Sequence, residues 1–240
     1  MDTALTLLQP PTVSAEFLTG SAPIVVLAPH PDDESLGCGA LLAQAFAHNG
    51  AHVICMTDGS ASHPGSHAWP PARIAVERQR ELSHAIRLLG GTEDNLTWLG
   101  HPDGWLGAQN LDAVVDVVGA IVRRTGALHM FAPSVDDHHE DHKATARIAL
   151  QVRAENPGLT LFTYPLWSRW DDPHSNVAIS SRNPVTLDPG QWLATKRAAI
   201  ACHATQLGQV IDDDPAGFIM SPAFVDAFAN APEIYWRTSV

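Results

Sequence analysis

The chain has 240 residues, 45% of them hydrophobic and 17% charged, enough to bury the core of one sizeable globular domain. Its formal net charge of −12 argues against a nucleic-acid or anionic-membrane partner, because either would want a basic face. Cys38, Cys55 and Cys202 are too few and too far apart for a disulfide framework and read as buried thiols in a reducing, cytoplasmic setting. No run reaches transmembrane length, and Met1 to Gly20 lacks the basic flank and apolar core of a signal peptide.

Residues 1–22 read as an irregular arm, because Pro10-Pro11 excludes a continuous helix, and 23–240 as a single domain. Ile24 to Leu27 is a short apolar run bounded by Pro, a buried strand, and Leu36 to His48 has the apolar spacing of a helix. A second strand, His52 to Thr57, ends in Asp58-Gly59; residues 60–71, rich in Ser, His, Pro and Gly, form a loop over the site. A helix follows from Pro71 to Leu89 and stops at Gly90-Gly91. Leu96 to Leu99 is a third strand, and Leu111 to Arg124 a helix with Leu111, Val114, Val115 and Val118 on one face. Leu128 to Ala132 is the fourth strand, His139 to Arg153 a helix, and Thr160 to Trp167 a fifth strand. Trp167 to Pro189 is polar with an edge strand at Val185 to Leu187, Gln191 to Leu207 a final helix, and Glu233 to Arg237 a last strand. Strand and helix alternate, which predicts an α/β fold: a Rossmann-like, three-layer α/β/α arrangement with a mostly parallel sheet.

Two turns carry the chemistry. Ala28-Pro-His30-Pro-Asp32-Asp33-Glu34 follows the first strand, at the carboxyl end where open α/β sheets bind ligands. His30 and Asp33 are three apart across the turn and can converge on one point, leaving Asp32 free. One Asp here would be explained as a helix cap; two Asp and a Glu beside a His call for a positive charge among them. The turn after strand four holds His138, His139, Asp141 and His142 at the same sheet edge. His30, Asp33 and one of these histidines make three metal ligands with a position left for water; His142 is the better candidate, His139 then meets substrate, and Asp141 can orient a histidine. Neither Gly-x-Gly-x-x-Gly after strand one nor His-Glu-x-x-His is present.

These two motifs together resemble the LmbE-like, or PIG-L, family of zinc-dependent N-acetylglucosaminyl deacetylases. Thr57-Asp58-Gly59, Arg78 to Glu81, Gly100-His-Pro-Asp103-Gly104 and Lys196 to Gln206 are similar to further family motifs, in the same order. Pro29 after Ala28, Glu140 where the family has Pro, and His101 for Tyr are departures that touch no ligand. The resemblance implies zinc on His30, Asp33 and His142, and Asp32 as general base. It implies His139 as oxyanion stabiliser or acid, Arg78 and Asp103 at the substrate, and His203 reaching the acyl group. The substrate implied is a small N-acylated amino sugar, with no nucleic acid and no membrane. His63, His67 and His101 read as solvated and His129 as a core histidine.

Fe(II) or Co(II) would accept the same ligands as Zn²⁺, and the oligomeric state, a homo-oligomer included, is left open. The residues alone also fit a non-haem Fe(II) oxygenase, an amidase of a thiol or other N-acyl conjugate, or a non-catalytic metal- or sugar-binding protein. The alternation of strand and helix and the spare Asp32 speak against the first, and the retention of Asp32 against the last.

Overall fold

In the computed structural model, which describes residues 10–171 and 175–238, one seven-stranded sheet organises the chain. Strands β1 (Ile24–Ala28), β2 (Ala51–Thr57), β3 (Leu96–His101), β4 (His129–Pro133) and β5 (Thr160–Tyr164) run parallel. Strand β7 (Glu233–Arg237) pairs antiparallel with β5, and the edge strand β6 (Val185–Leu187) antiparallel with β7. The order is β3-β2-β1-β4-β5-β7-β6. Its direction reverses between β1 and β4, and in a sheet of this kind the crevice at the carboxyl ends of those two strands is the binding position.

The strands are apolar on both faces because both faces are covered. Ile24, Val26 and Ala28 of β1 face a core shared with α2 (Asp33–Ala47), α3 (Pro71–Leu88), α8 (Leu193–Ala201) and α9 (Pro222–Ala229). Val25 and Leu27 face the opposite core, filled by α4 (Leu111–Thr125) and α5 (Glu140–Glu155). The expected three layers are therefore present, and no helix of the described residues is long and apolar enough to cross a membrane.

Four segments differ from the sequence reading. The N-terminal stretch contains a short helix, α1 (Ala15–Thr19), capped by Ser14, and Leu18 is buried in the α2-side core; residues 1–9 lie outside the described part. The fifth strand ends at Tyr164, and after Pro165 the chain turns into α6 (Trp167–Trp170), with α7 (Ser175–Ser180) beyond. Helix α8 stops at Ala201, six residues before the expected Leu207. Glu81 on α3 accepts from both the Thr205 N–H and its hydroxyl, at 2.8 and 2.6 Å, which draws His203 to Gln206 out of the helix. Helix α9 was not foreseen, although Ser221 caps it and Pro222 opens it, a recognisable start.

Candidate active site

The turn from β1 into α2 is built around a strained residue. Asp32 has φ 143°, a region that side-chain-bearing residues rarely adopt and that costs about 1–3 kcal/mol. Its surroundings hold it there. The Asp32 N–H donates to Glu34 Oε2 at 3.0 Å, and its carbonyl accepts from the Ser35 and Leu36 amides. Arg78, buried in α3, donates from Nη2 to Asp32 Oδ2 at 3.0 Å and to the Pro31 carbonyl at 2.8 Å, and from Nη1 to the Gly59 carbonyl at 2.9 Å. Gly59, at the end of β2, is required for this clamp: its φ is +63°, and a Cβ there would lie 2.5 Å from Arg78 Nη1. Burial pushes the Asp32 carboxyl up to about 7, with Arg78 pulling it down and the neighbouring Asp33 pushing it up.

Beside it, Asp33 Oδ2 lies 3.3 Å from His30 Nδ1 and 3.3 Å from His142 Nε2. The other nitrogen of each ring is anchored. His30 Nε2 sits 3.2 Å from both Asp103 Oδ1 and Asp141 Oδ2, so it carries the proton. His142 Nδ1 lies 3.0 Å from Asp137 Oδ2, and Asp137 is fixed in turn by the Ser168 hydroxyl and amide. That leaves His30 Nδ1 and His142 Nε2 both beside the same carboxylate oxygen. His142 Nε2 is fully buried and makes no hydrogen bond, despite its closeness to Asp33.

Two ring nitrogens crowded against one carboxylate oxygen, with the other nitrogen of each ring held by a carboxylate, form an arrangement that a cation can occupy. Tetrahedral ligands about 2.0–2.1 Å from a Zn²⁺ ion stand about 3.3–3.4 Å apart, matching both spacings to Asp33. The local field agrees. Burial lowers His142, but Asp33 and Asp137 outweigh it and bring it to about 9; burial likewise opposes His30, and Asp103, Asp141 and Asp33 raise it. Burial would raise Asp33, and His142 and His30 hold it well below the usual carboxylate range.

Two groupings bring one donor atom each within 4.8 Å of the others, His30 with His139 and His142 and, second, His30 with Asp103, His139 and Asp141; Asp33 is in neither. In that second group the donors are already engaged. Asp141 accepts from the Gly104 and Leu106 amides at 2.7 and 3.0 Å, and Asp103 from Ala61 at 3.0 Å. His139 is the N-cap of α5, its Nδ1 accepting from the Asp141 N–H. Burial, with His30 and His142 nearby, holds His139 down at about 4. It is therefore neutral at pH 7 with its proton on Nε2.

The residues expected at the site separate into two sets. His30, Asp32, Asp33, Arg78, Asp103 and His139 line a cleft of about 700 Å³. Asp141, His142 and His203 are buried behind it. For His203 this corrects the expectation of contact with the acyl group: its Nε2 faces Glu34 Oε1 at 3.2 Å and Ser35 Oγ at 3.3 Å. Through Glu34 it supports the Asp32 backbone. His63, expected in solvent, is buried under the 211–220 segment. Sequence reasoning missed Asp137, one of two adjacent Asp in a turn with nothing to distinguish them, and Gln206, whose buried Oε1 has no partner.

The sequence model of the PIG-L family, described as GlcNAc-PI de-N-acetylase, matches residues 25–153. A 1D-myo-inositol 2-acetamido-2-deoxy-alpha-D-glucopyranoside deacetylase of Kineococcus radiotolerans is 34% identical over 96 residues, 38% of this chain and 26% of that protein. The match thus spans about a quarter of that relative's length. The N,N'-diacetylchitobiose deacetylase of Pyrococcus horikoshii shares the fold with TM-score 0.60 at 22% identity, over 82% of this chain and 74% of that one. The 4-carboxy-2-hydroxymuconate hydratase GalB of Pseudomonas putida KT2440 does so with TM-score 0.60 at 18% identity, over 78% and 81%. A hydratase among fold neighbours shows that the fold does not decide the reaction; the site residues must.

Proposed function

The chain belongs to the PIG-L family, and from that premise we propose that it is a zinc-dependent N-deacetylase acting on an N-acetylglucosamine-type amino sugar or glycoconjugate. One observation carries the reading: His30 Nδ1 and His142 Nε2 both flank Asp33 Oδ2 while carboxylates hold their other nitrogens. Those three residues would hold the metal. When bound, zinc supplies Lewis acidity at neutral pH.

The chain's own groups do the rest. Asp32 is not part of the ligand set, lines the cleft and is gripped by Arg78, so it takes the proton of the attacking water. His139 donates its Nε2–H to the oxygen that becomes negative as the amide carbonyl is attacked. A neutral donor serves here, because it stabilises charge without giving up its proton. Asp32 then returns its proton to the departing amine, and the products are free amino sugar and acetate. Arg78 acts on Asp32, and Asp103 on His30. The three cysteines are unpaired, which supports a cytoplasmic site of action.

The test is acetate release from N-acetylglucosamine and its methyl glycoside by the zinc-loaded and chelator-stripped chain. Release should depend on metal and return with added Zn²⁺. Full hydrolysis by protein shown to be metal-free would overturn the reading.

A further inference from the structure

The cleft has two unlike halves, and neither offers a free positive charge. Opposite the floor stands a wall of Leu36, Leu166, Trp167, Phe218, Met220 and Phe224, with Ile219 beside it, all uncharged. The floor is acidic. Asp32, Asp33 and Asp103 line it, and Glu34, Asp137 and Asp141 are buried behind them. Arg78 is the only Lys or Arg lining the cleft. It is 3% exposed, and its terminal nitrogens are committed to the Pro31 and Gly59 carbonyls and to Asp32. Glu34 is set against His203. A divalent ion would add two positive charges and Arg78 one, and the other carboxylates would still outnumber them.

The rim adds to this. Exposed Asp171 lies 3.4 Å from Nδ1 of His138, which lines the cleft, and Asp212 and Asp213 are exposed on the 211–220 segment. The Lys and Arg nearest in sequence to the cleft residues have partners elsewhere. Lys143 pairs with Glu140 and Arg80 with Glu77, Arg169 donates to the Ala227 and Pro232 carbonyls, and Arg73 lies over the Trp69 ring. The residues outside the described part include no Lys or Arg.

The wall cannot easily be exchanged for another surface. The Phe218 N–H donates to the Ser62 carbonyl at 2.7 Å, the Met220 N–H to the Gln206 carbonyl at 2.8 Å, and Asp214 accepts from the Gly65 amide at 2.8 Å. The Trp167 ring meets Phe218 and Phe224 with centroids 5.5 Å away in each case. The uncharged face is therefore set before any ligand arrives.

An anion taken out of water needs a positive partner, and a cleft walled by one sign of charge repels that sign. We propose that this cleft excludes anionic conjugates, so that its amino-sugar substrate bears no phosphate or carboxylate on the groups attached to the ring. The proposal rests on the deacetylase reading above and narrows its substrate class. Discrimination of this kind comes from an unpaired repulsion and needs no dedicated contact.

Two glycosides of N-acetylglucosamine, unlike in charge and close in size, decide it with the zinc-loaded chain: the 3-hydroxypropyl and the 2-carboxyethyl. At low salt kcat/KM for the carboxylate should be at least about tenfold lower, and high salt should narrow that gap at least about threefold by screening. Asp171→Lys, and separately Ile219→Lys, each place a cation at an exposed position of the rim. Either should raise the carboxylate-to-neutral ratio at least about threefold. Equal rates, a faster carboxylate, a gap indifferent to salt, or a ratio unmoved by both variants overturns the proposal. Absence of amine from both glycosides would instead sink the deacetylase reading. In that event calorimetric titration of the same pair still tests the charge rule. Neutral binding at least about tenfold tighter supports it; equal or tighter binding of the carboxylate, or no saturable binding of either, overturns it.

Discussion

The floor and the wall of the cleft are built on different principles. The floor, from the ends of β1 and β4, is a hydrogen-bond network in which carboxylates hold one nitrogen each of His30 and His142 and Arg78 holds Asp32. Its residues fall within or just beside short motifs, and all lie in the 25–153 stretch that matches the family. The wall comes mostly from residues 166–224, outside that stretch, and is held by backbone hydrogen bonds and ring contacts that leave many side chains interchangeable. Chemistry that needs particular atoms constrains residue types; a surface that needs only apolar area does not.

The largest effects should come from the floor. Asp33→Asn replaces the carboxylate shared by both histidines with a neutral amide, so the protein should lose its metal, read by atomic emission, and all measurable turnover. Next comes Asp32→Asn, which should keep metal content near that of the wild type and lose roughly a hundred- to ten-thousand-fold in kcat. Equal metal loss in the two Asn variants would mean that the neighbours share one job. His139→Ala should retain metal and lose about a hundred- to a thousandfold in kcat, the size of one oxyanion donor. The same change also removes the α5 cap, at about 1 kcal/mol of stability, so a thermal melt should accompany the kinetics.

Asp137→Asn acts one layer further out. Its carboxylate orients His142, and metal affinity should fall about ten- to a hundredfold by competition titration, with turnover recovering at high Zn²⁺. At the small end, Ile219→Ser in the wall should shift unfolding free energy by no more than about 0.5 kcal/mol in urea titration, since the side chain is 45% exposed. A large destabilisation there would make the wall part of the core and erase the contrast with the floor.

The sequence made the floor legible because local spacing sufficed: His30 and Asp33 are three positions apart, and the parallel strands bring the two turns to one edge. The strands themselves showed as apolar runs flanked by Gly, Pro and polar turns. What escaped was set by distant partners. The end of α8 is fixed by Glu81, well over a hundred residues away, which captures Thr205. Nothing in Asp136-Asp137 says that the second reaches His142 while the first pairs with Arg182. The contribution of residues 216–224 to the cleft was hidden for the same reason, because loop-to-loop bonds to Ser62 and Gly65 place them. The polar 168–185 stretch supplies no cleft residue among those described.

The central claim is that His30, Asp33 and His142 hold the metal while Asp32 stands free of it. Anomalous diffraction at the zinc absorption edge from zinc-soaked crystals tests this directly. A single peak bounded by His30 Nδ1, Asp33 Oδ2 and His142 Nε2, with the Asp32 carboxylate still on Arg78, is the predicted result. A peak among Asp103, His139 and Asp141, or one ligated by Asp32, would contradict the account.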